Sequence, residues 1–254
     1  MKKMFALVLA LVLSLSFAAA LADETVIVAT NPEYPPFEYV EGDDIVGYDI
    51  DMIKAIAEKA GFAIEFESMD FDAVISAVAT NPNTIGVSGI SITDERKTSV
   101  LFSDGYINAG LVAIVKADSN YATTEDLKGK VIGVQLGTTS DFEAEKITGL
   151  ENVAQYKTFL NAIMDLQGNK IDAVFIDKPV GQAIMASLND ENLVMVDMGL
   201  QADWYGIEIN MANVELQTRI NKALAELEAE GFFEKLAVKY FSSEEEAADR
   251  KSVV

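Results

Sequence analysis

Segments that favour strands and segments that favour helices alternate along most of this chain, and the alternation restricts the folds open to it. The run TVIVAT (25–30) is β-branched and apolar, which is typical of a buried strand. DIDMIKAIAEKAG (49–61) then has apolar residues at helical spacing and a stop at Gly61. Strands that are separated by helices usually pair in parallel, so the pattern predicts an α/β protein with mostly parallel sheets.

The alternation falls into two sets of units. We predict helices over 71–80, 140–147, 160–167, 179–188, 214–230 and 232–241, and strands over 64–67, 85–88, 130–135, 152–156, 172–176, 193–196 and 205–209. Two stretches, 106–119 and 200–206, flank the second set, and we interpret them as crossings between two lobes. This predicts a discontinuous first lobe, 23–108 and 206–243, with a second lobe, 109–205, inserted into it.

The two ends of the chain differ from the rest. Residues 1–22 combine a basic start, a long apolar run and a small-residue box before Asp23, which predicts a cleaved secretory signal peptide. The run is also long enough for an uncleaved membrane anchor. We expect export to the periplasm or to the extracellular face of the cytoplasmic membrane. Residues 244–254 have no sustained apolar face and predict a flexible tail.

Composition excludes several classes of function. The chain contains no Cys and no His, which removes thiol nucleophiles, Ser-His-Asp triads and Cys/His zinc sites. A formal charge of −22 repels phosphate backbones, so nucleic acid is not an expected partner. The same charge favours a soluble monomer. We expect no catalytic residue, no metal and no cofactor.

Six segments occur in an order and at a spacing that point to one family. They are NPEYPPFEYVEGDDIVGYDIDMIKAIAE, MDFDAVI, SGISITDERKTSVLFSDGY, DLKGKVIGVQLGTTS, DAVFIDKP and YGIEI. Together they resemble the bacterial extracellular solute-binding proteins (family 3 type) for polar amino acids, which serve ABC importers. The resemblance covers essentially all of residues 23–241. It implies a two-lobed periplasmic-binding-protein fold of type II, in which helices flank each sheet and two hinge strands join the lobes.

Arg96 follows SGISIT, and its residue type suits a carboxylate ligand. Arginine is rare in this chain, with three among nineteen basic residues. Its planar guanidinium offers two parallel donors and keeps its charge when buried, whereas lysine offers a point charge. The resemblance implies that Arg96 binds the α-carboxylate of an amino acid. The alternative, which spacing alone favours, is a surface arginine that pairs with Asp94 or Glu95.

The resemblance implies further ligand contacts from both lobes. It gives the ligand ammonium to Asp177 and to the carbonyl of Gly89, and a hydrogen bond to Ser91. Thr138 and Thr139 grip the carboxylate from the second lobe, where amides at a helix N-terminus form an anion site.

Each of these positions has a structural alternative. The segment GTTS (137–140) is also a plain helix N-cap, and it can serve both roles. Asp177 can cap the helix that begins near Pro179. The resemblance further implies that Tyr34 and Phe71 enclose the aliphatic part of the ligand, although aromatic residues are more often part of a core.

Four residues are candidates for selecting the ligand side chain: Asn31, Glu33, Gln135 and Lys178. Members of the resembling family that select cationic amino acids often have Asp where this chain has Asn31. Lys178 opposes a cationic side chain if it faces the cleft, and the amides of Asn31 and Gln135 suit an amide. We therefore expect a polar, uncharged amino acid, with glutamine first. An inward-facing Glu33 would reverse this preference in favour of arginine or lysine.

The sequence therefore predicts an extracytoplasmic protein that captures a polar amino acid by hinge closure and delivers it to the permease of an ABC transporter. Three alternatives stay open at this point. One is a sensing module that passes its signal to a receptor, and another is a periplasmic dehydratase on the same fold. The third is a different ligand, such as an opine or a small peptide.

Overall fold

A computed structural model describes residues 25–241. The predicted signal peptide (1–22) and the predicted tail (244–254) lie outside this range. Among the residues described, no helix combines the length and the apolar character needed to cross a membrane.

The described chain contains fourteen strands and seven α-helices. The strands are β1 (Thr25–Thr30), β2 (Glu33–Tyr34), β3 (Glu38–Glu41), β4 (Asp44–Val46), β5 (Ala63–Ser68), β6 (Thr84–Gly86), β7 (Val100–Phe102), β8 (Ile107–Lys116), β9 (Ile132–Gln135), β10 (Val153–Tyr156), β11 (Ala173–Asp177), β12 (Leu193–Val196), β13 (Ala202–Tyr205) and β14 (Glu208–Asn210). The helices are α1 (Tyr48–Ala60), α2 (Phe71–Thr80), α3 (Thr139–Thr148), α4 (Phe159–Gln167), α5 (Lys178–Leu188), α6 (Val214–Ala229) and α7 (Phe232–Tyr240). The fold is α/β, as predicted.

Two larger sheets form the two lobes, and each contains one reversed strand. The first has the order β5-β1-β6-β14-β7, in which only β14 runs against the others. The second has the order β10-β9-β11-β8-β12, in which only β8 is reversed. Both sheets are therefore mixed, with all of these strands but one running in the same direction. The reversed strands are β8, which carries the chain from the first lobe into the second, and β14, which is the first strand after the chain returns to the first lobe.

Amphipathic helices cover both faces of the first sheet. Helix α1 buries Ile50, Ile53 and Ile56, and it packs against α6 and α7. It ends at Gly61, whose φ of 75° is left-handed and whose amide bonds to the carbonyl of Ala57. Helix α2 packs on β1, β6 and β14 and forms a separate small core.

Strands β8 and β13 form the connection between the lobes. They pair antiparallel from Ile107 opposite Tyr205 to Gly110 opposite Ala202. Beyond Gly110, β8 continues into the second sheet between β11 and β12. These strands correspond to the two predicted crossings.

Two predictions about strands need correction. The segment YGIEI was expected to be one strand over 205–209, but Tyr205 ends β13 and Glu208 begins β14. Gly206 and Ile207 separate them, because the chain leaves one sheet and enters the other here. A third, antiparallel sheet of β2, β3 and β4 was not predicted, since its strands have between two and four residues.

Candidate functional site

All ten ligand contacts proposed from the sequence line one cavity between the lobes. They are Asn31, Tyr34, Phe71, Gly89, Ser91, Arg96, Gln135, Thr138, Thr139 and Asp177, and Ser88 joins them. The cavity measures about 10 Å³, which is room for about one water molecule. The two lobes are therefore closed on each other in this structure.

Arg96 begins a short 3₁₀ turn and is 8% exposed. Its Nη1 donates to the Ser91 carbonyl at 2.8 Å, and its Nη2 donates to the Gly137 carbonyl at 3.0 Å. The guanidinium carbon lies 5.6 Å from the centre of the Phe71 ring. Burial lowers the pKa of Arg96 from its usual range. Because its hydrogen-bond partners are neutral carbonyls, a buried positive charge faces the cavity, and the alternative of a surface ion pair with Asp94 or Glu95 is not found.

Asp177 ends β11 and stands at the N-cap position of α5, but its side chain makes no capping hydrogen bond. Instead it accepts a hydrogen bond from the hydroxyl of Tyr34, which lies 3.2 Å from the hydroxyl of Tyr205. Burial raises the pKa of Asp177 to about 6, against the opposing effect of the two tyrosine hydroxyls. This carboxylate is therefore available to a cation in the cavity.

Gly89 and Ser91 lie on the first-lobe side of the cavity. Gly89 has a φ of 55°, and a Cβ there would approach Cε1 of Tyr34 to 2.7 Å, so glycine is required for Tyr34 to lie this close. Its amide donates to Oδ2 of Asp49 at 2.9 Å. The hydroxyl of Ser91 lies 3.4 Å from that of Thr139, across the boundary between the lobes.

Thr138 caps helix α3. Its hydroxyl accepts a hydrogen bond from the amide of Asp141 at 3.3 Å and donates to the carbonyl of Gln135 at 2.7 Å. The capping role that was considered for GTTS is therefore present. Thr139 begins the helix and faces the same cavity. The amides of this first turn are positioned to receive an anion.

The side-chain amides of Asn31 and Gln135 bond to each other across the lobes. Nε2 of Gln135 donates to Oδ1 of Asn31 at 3.0 Å and to the Lys157 carbonyl at 2.7 Å. Nδ2 of Asn31 donates to the Met69 carbonyl at 3.0 Å. These bonds hold both amides at the edge of the cavity and help to keep the lobes closed.

Tyr34 belongs both to the cavity and to the core, whereas Phe71 is only half-buried. The Tyr34 ring lies 5.9 Å from that of Phe37 and 5.7 Å from that of Phe159. Phe71 begins α2 and lies beneath Arg96. Both the core interpretation and the cavity-wall interpretation therefore apply to Tyr34.

Two of the candidates for side-chain selection do not line the cavity. Glu33 and Lys178 are both exposed. The condition that Lys178 faces the cleft is therefore not met, and Glu33 does not turn inward.

The buried carboxyl pair Glu38 and Asp49, behind the cavity, was not identified from the sequence. Oε1 of Glu38 accepts a hydrogen bond from Ser88 at 2.9 Å, and Oδ2 of Asp49 accepts one from Tyr106 at 2.7 Å. Burial raises the pKa of Asp49 to about 7. The pKa of Glu38 is raised well above its usual value, mainly by burial and to a smaller extent by the charge of Asp49. Both residues lie in the segments that carry the resemblance, but no periodicity marks them as partners.

Comparison with known proteins identifies the family. The model of the bacterial extracellular solute-binding proteins, family 3, matches residues 26–243. The chain belongs to this family. It is 37% identical over 224 residues to the arginine-binding extracellular protein ArtP of Bacillus subtilis (strain 168), which covers 86% of each chain.

Two solved structures support the assignment of this solute-binding protein. An ancestral arginine-binding protein bound to arginine is 37% identical, covers 86% of this chain and 99% of its own, and superimposes with a TM-score of 0.81. An ancestral arginine-binding protein bound to glutamine is 36% identical, covers 87% of this chain and 99% of its own, and also has a TM-score of 0.81. The predicted fold is confirmed. At the level of the family, so is the predicted role, capture of an amino acid for an ABC transporter. The family is not enzymatic, which removes the dehydratase alternative.

Proposed function

We propose that this solute-binding protein holds an α-amino acid between Arg96 and Asp177, with the carboxylate on Arg96 and the ammonium on Asp177. One observation supports this more than any other: the two oppositely charged side chains are both buried and face one cavity from different lobes. Among the residues described, neither forms an ion pair within the protein. Since a buried charge without a directly bonded counter-charge costs several kcal/mol, a zwitterion supplies the direct ion pairs that both groups lack.

The remaining contacts complete the proposed ligand-binding site. Ser91 and the Gly89 carbonyl contact the ligand from the first lobe, and Thr138 and Thr139 hold its carboxylate from the second. The lobes comprise 23–108 with 206–243, and 109–205. A ligand that touches both lobes binds the closed state better than the open state, and only this difference in affinity can drive closure.

We propose arginine as the first candidate ligand, in place of the glutamine that the sequence favoured. Lys178 is exposed and does not oppose a cation. Asp177 and Asp203 act on Arg96 as nearby negative charges, so acids outnumber bases around the cavity and favour a ligand of net positive charge. The arginine-binding relatives support the same choice.

Glutamine is the second candidate. The amide pair of Asn31 and Gln135 at the cavity edge suits an amide side chain, and one of the similar solved structures is an ancestral arginine-binding protein bound to glutamine. Isothermal titration calorimetry against the twenty amino acids tests the choice. We expect arginine to bind at least ten times more tightly than glutamine, and the reverse order would restore the sequence-based expectation.

The protein works, in this proposal, as an exported monomer that presents its closed form to a membrane permease. Mass spectrometry of small molecules released by denaturing the purified protein tests the ligand class independently. An opine or a peptide in that fraction would overturn the amino-acid proposal. Crosslinking of the loaded protein in membranes is expected to recover a permease, and recovery of a receptor instead would favour a sensing role.

A further inference from the structure

Glu208 is a buried acid that is not among the proposed ligand contacts. It begins β14, is 1% exposed, and neither carboxylate oxygen has a hydrogen-bond partner within residues 25–241. Its neighbours on the same side of the sheet belong to the small apolar core of Val74, Val78 and Phe102. A carboxylate in such surroundings is costly unless a charge or a proton compensates it.

A second cavity connects Glu208 to Arg96. It measures about 290 Å³, and it shares Phe71 and Arg96 with the first cavity. Its wall combines the apolar side chains of Phe71, Ile75, Ile90 and Phe142 with the charged residues Asp72, Glu95, Arg96 and Glu208. Arg96 lines both cavities, so the residue that we propose to bind the ligand carboxylate also borders the cavity that contains Glu208.

The local structure makes room for this acid. Glu208 pairs with Gly86 on the neighbouring strand β6. A Cβ on Gly86 would approach Oε2 of Glu208 to 2.9 Å and Cγ1 of Val74 to 2.9 Å. The absence of a side chain at Gly86 therefore lets the Glu208 carboxylate lie in the space between β14 and α2.

We propose that Glu208 balances the charge of Arg96 in the ligand-free protein, and that an arriving carboxylate displaces it from this role so that Glu208 takes up a proton. The inference depends on the proposed function of Arg96. With ligand bound, two carboxylates compete for one guanidinium in a closed cleft. The ligand carboxylate forms direct bonds to Arg96, whereas Glu208 is held apart, so Glu208 is the group that accepts a proton from solvent.

The electrostatics of the site agree with this assignment. Among the nearby charges that favour the charged form of Arg96 and so oppose the fall in its pKa, Glu208 has the largest effect. Burial raises the pKa of Glu208 to about 7 against the opposing effect of Arg96. An additional negative charge at Arg96 weakens that opposing effect and raises this pKa further. Asp72 and Glu95 are the other acids that line this cavity.

Titration calorimetry with L-arginine at pH 8, in phosphate and in Tris, measures the protons taken up on binding, because the two buffers differ in ionisation enthalpy. We expect the wild type to take up a measurable fraction of a proton, and Glu208→Gln to lose that fraction.

Between pH 6.5 and pH 8, wild-type affinity should fall about fivefold, since a pKa shift of one unit on binding changes the binding constant by up to tenfold across the titration. The variant should change less than twofold. Glu215→Gln, the same substitution at an exposed position on α6, should behave as the wild type does.

Folding of each variant is checked by its thermal unfolding midpoint, and Glu208→Ala replaces Glu208→Gln if the latter does not fold. Equal proton uptake in the wild type and in the Glu208 variant would overturn the inference. If Arg96→Ala abolishes binding in the same experiment, the proposed binding of the ligand by Arg96 and Asp177 is supported even though the inference about Glu208 fails. If the wild type binds no amino acid, the proposed function and this inference fail together.

Discussion

Nη2 of Arg96, in the first lobe, donates a hydrogen bond to the carbonyl of Gly137, in the second lobe, across 3.0 Å. This bond ties the proposed carboxylate-binding group to closure of the cleft. Gly137 immediately precedes the N-terminus of α3, where Thr138 and Thr139 lie. Closure therefore brings the guanidinium and the amides of a helix N-terminus to the same place, and both favour an anion.

Replacement of Arg96 should nearly abolish ligand binding. We expect Arg96→Ala to weaken L-arginine binding by at least about 100-fold, because removing one partner of a buried charge pair costs about 3–5 kcal/mol. Arg96→Lys should not restore the affinity, since lysine lacks the planar pair of donors. Arg219→Lys serves as the control, because Arg219 donates to the Ala60 carbonyl away from the cleft. Calorimetry that finds Arg96→Ala within threefold of the wild type would remove Arg96 from the site.

Asp177→Asn should weaken amino-acid binding while the protein stays folded. The ligand ammonium would keep a hydrogen-bond acceptor but lose its counter-charge, which predicts a loss of about 10- to 100-fold. The control is Asp118→Asn, at an exposed position of the second lobe. A direct check uses the analogue of arginine that lacks the α-amino group. Equal affinity of the wild type for arginine and for this analogue would contradict the assignment.

Ligand should make the molecule more compact in solution. The closed structure is held by contacts between the lobes such as Asn31–Gln135 and Ser91–Thr139, and a ligand adds to them only in this state. We expect small-angle scattering to show a smaller radius of gyration with saturating L-arginine than without ligand. Arg96→Ala under the same conditions should not compact. Superimposable wild-type curves would contradict ligand-driven closure.

The carboxyl pair Glu38 and Asp49 should make the protein less stable as pH rises. Their pKa values are raised in the folded state, so between about pH 4 and the folded pKa values the folded protein binds more protons than the unfolded chain. Stability contributed by protonation of this pair is present at low pH, and it is lost as pH rises towards and beyond about 7. The effect should appear as a falling thermal midpoint from pH 5 to pH 8.

Glu38→Gln isolates the contribution of this pair. An amide at position 38 can donate to Asp49 at every pH, so the midpoint of the variant should fall less than that of the wild type over the same range. Glu41→Gln, at an exposed position of the same strand, should run parallel to the wild type. Parallel curves for Glu38→Gln as well would show that the pair does not share a proton.

The sequence determined the local structure of this protein well. Helix α2 was predicted with its bounds at 71–80, and the strand TVIVAT was found unchanged as β1. Periodicity and stop residues report conformation over a few residues, so such elements can be located without knowledge of the fold. The ten residues around the cavity came from the ordered motifs of the family, and their roles in binding stay predictions.

Only the tertiary structure decided which side chains meet. Asn31 and Gln135 are 104 residues apart in sequence, and their bond depends on how two separate lobes close. The inward position of Glu208 depends on the break after Tyr205 and on the space at Gly86. Lys178 next to Asp177 points to solvent although its neighbour is buried. Such contacts arise from the packing of distant elements, and neither residue type nor local spacing specifies them.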